Sequence, residues 1–522
     1  MVEFRMTRIL HMSPSRPFLA TTALGLSLLA TTATADLTAA EVWGDWRSYL
    51  EGMGYAVTAS QSASGATLSV SDITVEIFPG PDIEELVMQM GALQFTELGD
   101  GSVEVVMPAT MPISIKATPT DGKPPAQFDL TYTQAGHSMI ASGDASEIAY
   151  AYTADSFALN LAAVTADGIQ YGPDNARFSL SGEALQSNTL VSVEQVRSYD
   201  QDMQTGALTY DIFFKDPDGV DTFGINSTLQ SVMFQGTSVL PVAQIAQAQD
   251  LMPLLAAGFA FDGTFRTQGS ETRTEVISRD GPTRIKTGAA ASTLTVAMGA
   301  DGIRYGVDAQ QVQIGAQIVG LPFPLFVEMA TSGFGMRLPV MQAEEPQDFA
   351  LSLNMTEFTM SDIIWALFDA AGQLPRDPAT VALDLSGKAK VLFDTLNPEQ
   401  MGEMAASGEQ PAEVHELQID KLVVDAVGAK LEATGNMTFD NDDKTTLPGF
   451  PKPVGDVSID MAGANGLMDR LVAMGLLPAE QVMGARMMLG LFTVPGPEAD
   501  TLTSKIEFTE EGQILANGQR LR

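Results

Sequence analysis

The 522-residue chain carries a formal net charge of −37 and not one cysteine. Such a charge repels nucleic acid, whose binding rests on Lys and Arg neutralising phosphates, and it opposes anionic membrane surfaces. The missing cysteines exclude disulfides, zinc-thiolate sites, iron–sulfur clusters and thiol nucleophiles. An apolar fraction of 45% is that of a globular chain, and the length calls for several domains or one elongated sheet system.

Arg5, Arg8 and Arg16 precede an apolar run over residues 18–30, and an Ala-x-Ala pattern then leads to Asp36. These are the three parts of a secretory signal peptide. The sequence therefore predicts a signal peptide over residues 1–35, cleaved between Ala35 and Asp36, and a periplasmic protein. The run is shorter than the roughly 20 residues that span a bilayer, so no transmembrane helix is expected after cleavage.

Residues 36–58 read as an N-terminal helix. Thr38 and Glu41 form a capping box; Val42, Trp46, Tyr49 and Leu50 share a face; Gly52 and Gly54 end it. With Trp43 and Trp46, the helix is expected to pack across an end of a sheet. Residues 59–345 read as a duplicated antiparallel β region. Leu68 and Val70 alternate, then Ile73, Val75 and Ile77 continue out of phase, which places a bulge near Ser71 and Asp72. A short helix is predicted after Pro81, from the spacing of Ile83, Leu86 and Val87. Strands follow at Ile113 and Ile115, at Phe128, Leu130 and Tyr132, and at Ile148, Tyr150 and Tyr152. Ala166-Asp167-Gly168-Ile169-Gln170-Tyr171-Gly172 then returns as Ala300-Asp301-Gly302-Ile303-Arg304-Tyr305-Gly306. Both copies follow alternating apolar runs and read as hairpin turns of one module used twice. Between them come a strand from Leu208 to Phe214, a turn at Asp218-Gly219, a helical stretch over 241–255, and strands with Phe259, Phe261 and Phe265. One polar face per strand points to antiparallel pairing.

Residues 346–522 mix helices and strands. Leu351, Leu353 and Met355 make a strand. Thr359 or Ser361 caps a helix holding Ile363, Ile364, Leu367 and Phe368. A proline-stiffened loop leads to a strand with Val381, Leu383 and Leu385. Segment 400–413 reads as a flexible loop, Leu417 to Val424 as a strand, Asp440 to Asp443 as a hairpin tip, and 464–476 and 478–491 as helices. A hairpin around Ile506, Phe508 and Ile514 closes the chain. The expected fold is β-rich α+β: a large, mostly antiparallel twisted sheet system built from a duplicated module, with peripheral helices.

The runs Gln347-Asp348-Phe349-Ala350-Leu351, Trp365-Ala366-Leu367-Phe368-Asp369, Leu374-Pro375-Arg376-Asp377-Pro378-Ala379-Thr380 and Leu383-Asp384-Leu385-Ser386-Gly387, with the closing Asn517-Gly518, resemble the signature of an uncharacterised family of Gram-negative exported proteins, the domain-of-unknown-function group numbered 2125. The family often has Pro after the helix-ending Asp; Ala370 stands there in this chain. The resemblance covers most of the chain after residue 35 and brings no established activity, so it carries over no catalytic residue. A looser similarity, of architecture only, is to AsmA-like envelope proteins, whose long antiparallel sheets form grooves associated with lipid traffic.

The chemistry is sparse. Past residue 35 the only histidines are His137 and His415, and no nucleophile elbow, Walker loop or zinc-protease motif is present. The acidic runs at 216–221 and 440–443 lack EF-hand spacing and read as turns. No catalytic, cofactor or metal residue is nominated. Trp365, Arg376 and Asp377 are the candidate partner contacts, an aromatic anchor beside rare charge; Arg376 has the local alternative of pairing with Asp377 or capping the preceding helix. Met468, Met474, Met483, Met487 and Met488 crowd the last helices, where methionine either fills a core or lines an adaptable groove. The leading expectation is a non-enzymatic envelope protein that binds a lipid or another envelope protein on an extended sheet. It calls for a continuous apolar concave face, with strand positions apolar on both sides. The alternatives are a structural or assembly factor without a small ligand, and a carboxylate-dependent enzyme on an envelope polymer, which needs two carboxylates in a cleft, one strongly perturbed.

Overall fold

The computed structural model describes residues 36–77, 83–217, 219–241, 251–407 and 410–521. The predicted signal peptide and its cleavage site, Pro81, Asp218 and most of the predicted 241–255 helix lie outside them. Alternating apolar and polar residues give long strands, and every pairing among them is antiparallel. The result is a large sheet with few helices, and the residues from Asp36 on form one compact unit.

The sheet is two strands wide over much of its length. The long strand Thr67–Ile77 pairs with Leu93–Glu97 along its first half and with Ile83–Met90 along its second. Two tracks start there. The first runs through Ile83–Met90, Thr110–Pro119 and Ala126–Ala135, the second through Leu93–Glu97, Val103–Val106 and Ser138–Asp144. Both rejoin on Glu147–Ala166. The next long strand, Ala176–Val193, parts again. Its first half leads through Leu208–Lys215, Thr222–Leu229, Ser270–Ser278 and Gly281–Ala289. Its second half leads through Val196–Thr205, Val232–Pro241, Ala260–Thr267 and Ala291–Gly299. These tracks meet on Gly302–Gln317. From there a plain meander runs through Leu325–Leu338, Gln347–Met360, Ala379–Val391, Ala412–Ala426, Ala429–Asp440 and Lys452–Ala462 to Thr501–Phe508.

A left-handed residue marks three of these junctions: Asp72 at φ +52°, Ala184 at +51° and Gln311 at +51°. A side chain at such a φ is costly for an L-residue, about 1–2 kcal/mol, and it breaks the strict alternation of faces. Leu68, Val70, Ile73 and Val75 are therefore all buried on one side. The predicted bulge near Ser71 and Asp72 is this device; the register with Ala56–Ser64 shifts there.

Several expectations change. Ile83–Met90 is a strand, not a helix. Its three- and four-residue spacing is outweighed by pairing on both sides, to Thr67–Ile77 and Thr110–Pro119. Segment 400–413 is not a loop throughout: Pro398–Ser407 is a helix and Ala412–Ala426 a strand. The helix expected to hold Ile363 through Phe368 is one turn, Asp362–Trp365; Ser361 stands at its N-cap without a side-chain hydrogen bond, and Thr359 lies in the preceding strand. The two copies of the repeated heptad do not turn alike. The first turns on Asp167-Gly168, both at positive φ, between paired Ala166 and Ile169. The second turns one residue earlier, between paired Gly299 and Gly302.

Candidate functional site

The N-terminal helix Ala39–Gly52 has the capping box read from the sequence: Thr38 N–H donates to Glu41 Oε2 at 2.9 Å, and Glu41 N–H to Thr38 Oγ1 at 3.3 Å. It packs on one face of the first block of the sheet, the strands between Thr67 and Ala166. Val42 and Trp43 meet Val70, Phe95, Val103 and Val105 in a closed core. Asp45 and Arg197 form an ion pair buried within it, and Tyr150 Oη donates to Asp45 Oδ2 at 2.7 Å. Burial pushes the Tyr150 hydroxyl up, so it stays a donor.

The same kind of face continues past this helix, covered at Met298 and Ile303 by the short helix Met252–Ala256 and open to water at Phe334 and Leu353. Cross-strand partners share a face, so one line can be followed from strand to strand: Phe234, Phe265, Leu294, Val307, Phe334, Leu353, Leu383, Leu422, Ala433, Ile459. Every residue on it is apolar, over nine inter-strand steps of roughly 4.8 Å each. A second line, Val296, Tyr305, Met336, Leu351, Leu385 and Ile419, runs beside it. Phe334 is 39% exposed and Leu353 43%, whereas Phe95 and Val70 under the helix are at 0%. Exposed apolar area on this scale is unusual for a surface with no partner.

A face apolar throughout is found on one side; the opposite face is mostly polar, with Phe213 and Phe326 among its few large apolar side chains. Ion pairs cross it: Arg304 to Asp262 at 2.6 Å, Arg284 to Glu275 at 2.7 Å, Lys388 to Asp348 at 3.0 Å. A cleft of about 1080 Å³ is lined by Arg177, Asp211, Arg273, Glu275, Arg284 and Lys286 among others. Exposed pairs of this kind add roughly 0–1 kcal/mol each. Among the described residues every displaced carboxylate is displaced downward. In the cleft, Lys286 and Arg273 hold Glu271 low. A general acid needs the opposite shift.

The predicted contact residues gather beside this sheet. Trp365 is buried, and the Arg376 guanidinium lies 5.4 Å from its ring centre. Arg376 pairs with Asp362 at 2.6 Å rather than with Asp377, which is exposed. The residue that orders this loop is Asp369, which the sequence reading passed over. It is buried and accepts from the backbone N–H of Gln373 at 2.8 Å and Leu374 at 3.0 Å. Burial alone would raise its pKa, but those bonds and the Arg376 charge outweigh it and hold the carboxyl below its usual range. The only advance signal was an Asp at a helix end followed by Gly372. Asp500 acts alike from a distance, capping the helix Ala464–Ala473 through Asn465 N–H at 3.1 Å and Gly466 N–H at 2.8 Å.

His137 Nε2 lies 2.9 Å from the Val105 carbonyl oxygen and His415 Nε2 has no partner; neither ring bonds a carboxylate among the described residues. The helices Ala464–Ala473 and Ala479–Phe492 form as predicted, but Met483, Met487 and Met488 are exposed and fill no core. No protein-family model, curated protein or solved structure matches the chain.

Proposed function

We propose that this chain is a non-enzymatic envelope protein that holds lipid acyl chains along the uncovered apolar face of its sheet. The observation that carries this is the unbroken apolar line from Phe234 to Ile459. An acyl chain matches it: both are long, apolar and indifferent to register, and about 25 cal/mol is gained per Å² withdrawn from water. The architectural likeness to AsmA-like proteins and the leader-like N-terminus point the same way. Native mass spectrometry of the protein purified from its own cell envelope, with lipid extraction of the same sample, is the test. A stoichiometric lipid supports the reading. An empty, monodisperse protein overturns it and favours an assembly factor that captures an envelope protein, with the exposed Arg376 and Asp377 as contacts and the buried Trp365 beneath them.

We further propose that the two blocks of the sheet are copies of one module. Each opens at a left-handed residue, Asp72 or Ala184, and each closes on one long strand. Superposing the blocks decides it: strands that match only out of register would sink the idea.

A further inference from the structure

We infer that one rim of the sheet is a membrane-docking edge, and that it seats on the surface of a zwitterionic lipid bilayer. The rim is the set of connections at the outer ends of the first track and its continuation: 318–324, 361–378, 427–428 and 463–500. Contacts join them. Arg470 donates to the Val427 carbonyl oxygen at 3.3 Å, and a Cβ on Gly428 would meet both Pro375 and Arg470.

Connections between strands are ordinarily polar, and these are not. Met483 is 73% exposed and Met487 67%, with Leu491 one turn further on the same stripe and also exposed. Leu367 and Phe368 protrude from the neighbouring loop, Ile318, Val319 and Leu321 from the one beyond. They stand on a helical hairpin and on loops, where a flat interface can reach them. Methionine and leucine on a helix surface suit the disordered boundary of a bilayer.

Charge selects the partner and the orientation. Segment 318–324 has no charged residue, and the helical pair has Asp469 and Glu480 balanced by Arg470 and Arg486; segment 361–378 adds Asp362, Asp369 and Asp377 against Arg376, and Glu498 and Asp500 follow the second helix. The opposite rim carries Glu344, Glu345, Asp442, Asp443, Glu510 and Glu511. The first rim is the less acidic of the two, so in a chain of net charge −37 it approaches a lipid surface at the lower electrostatic cost. This inference stands on a different observation from the lipid-holding sheet face.

The absence of native cysteine makes single-site labelling clean. An environment-sensitive fluorophore is placed in the full chain at Met487→Cys, at Leu353→Cys on the sheet face, or at Glu344→Cys on the opposite rim. Phosphatidylcholine vesicles should shift the label at 487 to the blue and expose it to quenchers carried in the acyl region, while 344 stays unchanged. Met483→Ser, Met487→Ser and Leu491→Ser combined should weaken vesicle binding at least about tenfold. The idea is overturned by a silent label at 487, by equal responses at 487 and 344, or by a shift that follows protein concentration without vesicles, which would mean a second copy covers the rim. Short-chain lipid monomers report separately at 353. A response there with silence at 487 keeps the sheet reading and removes the rim; the reverse removes the sheet reading alone.

Discussion

The two ends of the sheet present the same kind of apolar face in opposite circumstances. Under the N-terminal helix, Phe95, Val70 and Val105 are sealed, and a buried Asp45–Arg197 pair fixes how the helix sits. Beyond Phe234 the face keeps its apolar pattern; the short helix Met252–Ala256 covers it at Met298 and Ile303, while Phe334 and Leu353 stay open to water. A sheet folds with one face uncovered when strand pairing alone holds its register. What the covered end gains from packing, the open end gains only when something else covers it.

Removing one charge at the covered end should have the largest effect. Asp45→Ala strands Arg197 in the core and should cost about 3–5 kcal/mol, read as a shifted urea midpoint by Trp43 and Trp46 fluorescence. A cost under about 1 kcal/mol would mean that the pair is wet and the helix loosely held. Truncating one side chain in each region tests the contrast directly. Phe95→Ala should cost about 3–5 kcal/mol, and Leu353→Ala about 1 kcal/mol or less, because only part of its area leaves water. Equal losses would show that the open face is covered in solution. At the helix entry, Thr38→Ala removes the capping box and should cost about 1 kcal/mol, with near-ultraviolet dichroism of the tryptophans following the loss.

The smallest effect is expected in the loop that bears Trp365. Asp369 has a folded pKa below its unfolded one, so its contribution is complete above about pH 4 and is lost as pH falls through the folded value. Trp365 quenching should rise over that acid limb in the wild type and be flat in Asp369→Asn. An identical acid limb in both would assign the transition to another group.

Much of this was legible in the residues. The helix at Thr38 is written in a capping box, and the slip at Asp72 in the phase of Leu68, Val70, Ile73 and Val75, because both signals are local. Ile83–Met90 was misread because its spacing fits a helix as well as a strand, and partners far along the chain chose between them. The Trp365 and Arg376 pairing was half visible: the residues stood out, but Asp362 and Asp369, which position them, did not.

The sequence by itself determined the class of fold, the antiparallel pairing with one polar face, and the exclusion of thiol chemistry, since alternation and composition act residue by residue. Only the tertiary structure decided that the sheet divides into two tracks and rejoins, that one end is roofed while Phe334 and Leu353 stay open, and that the methionines of the last helices face outward. Those outcomes depend on which strands meet across the sheet, and no short-range preference encodes that.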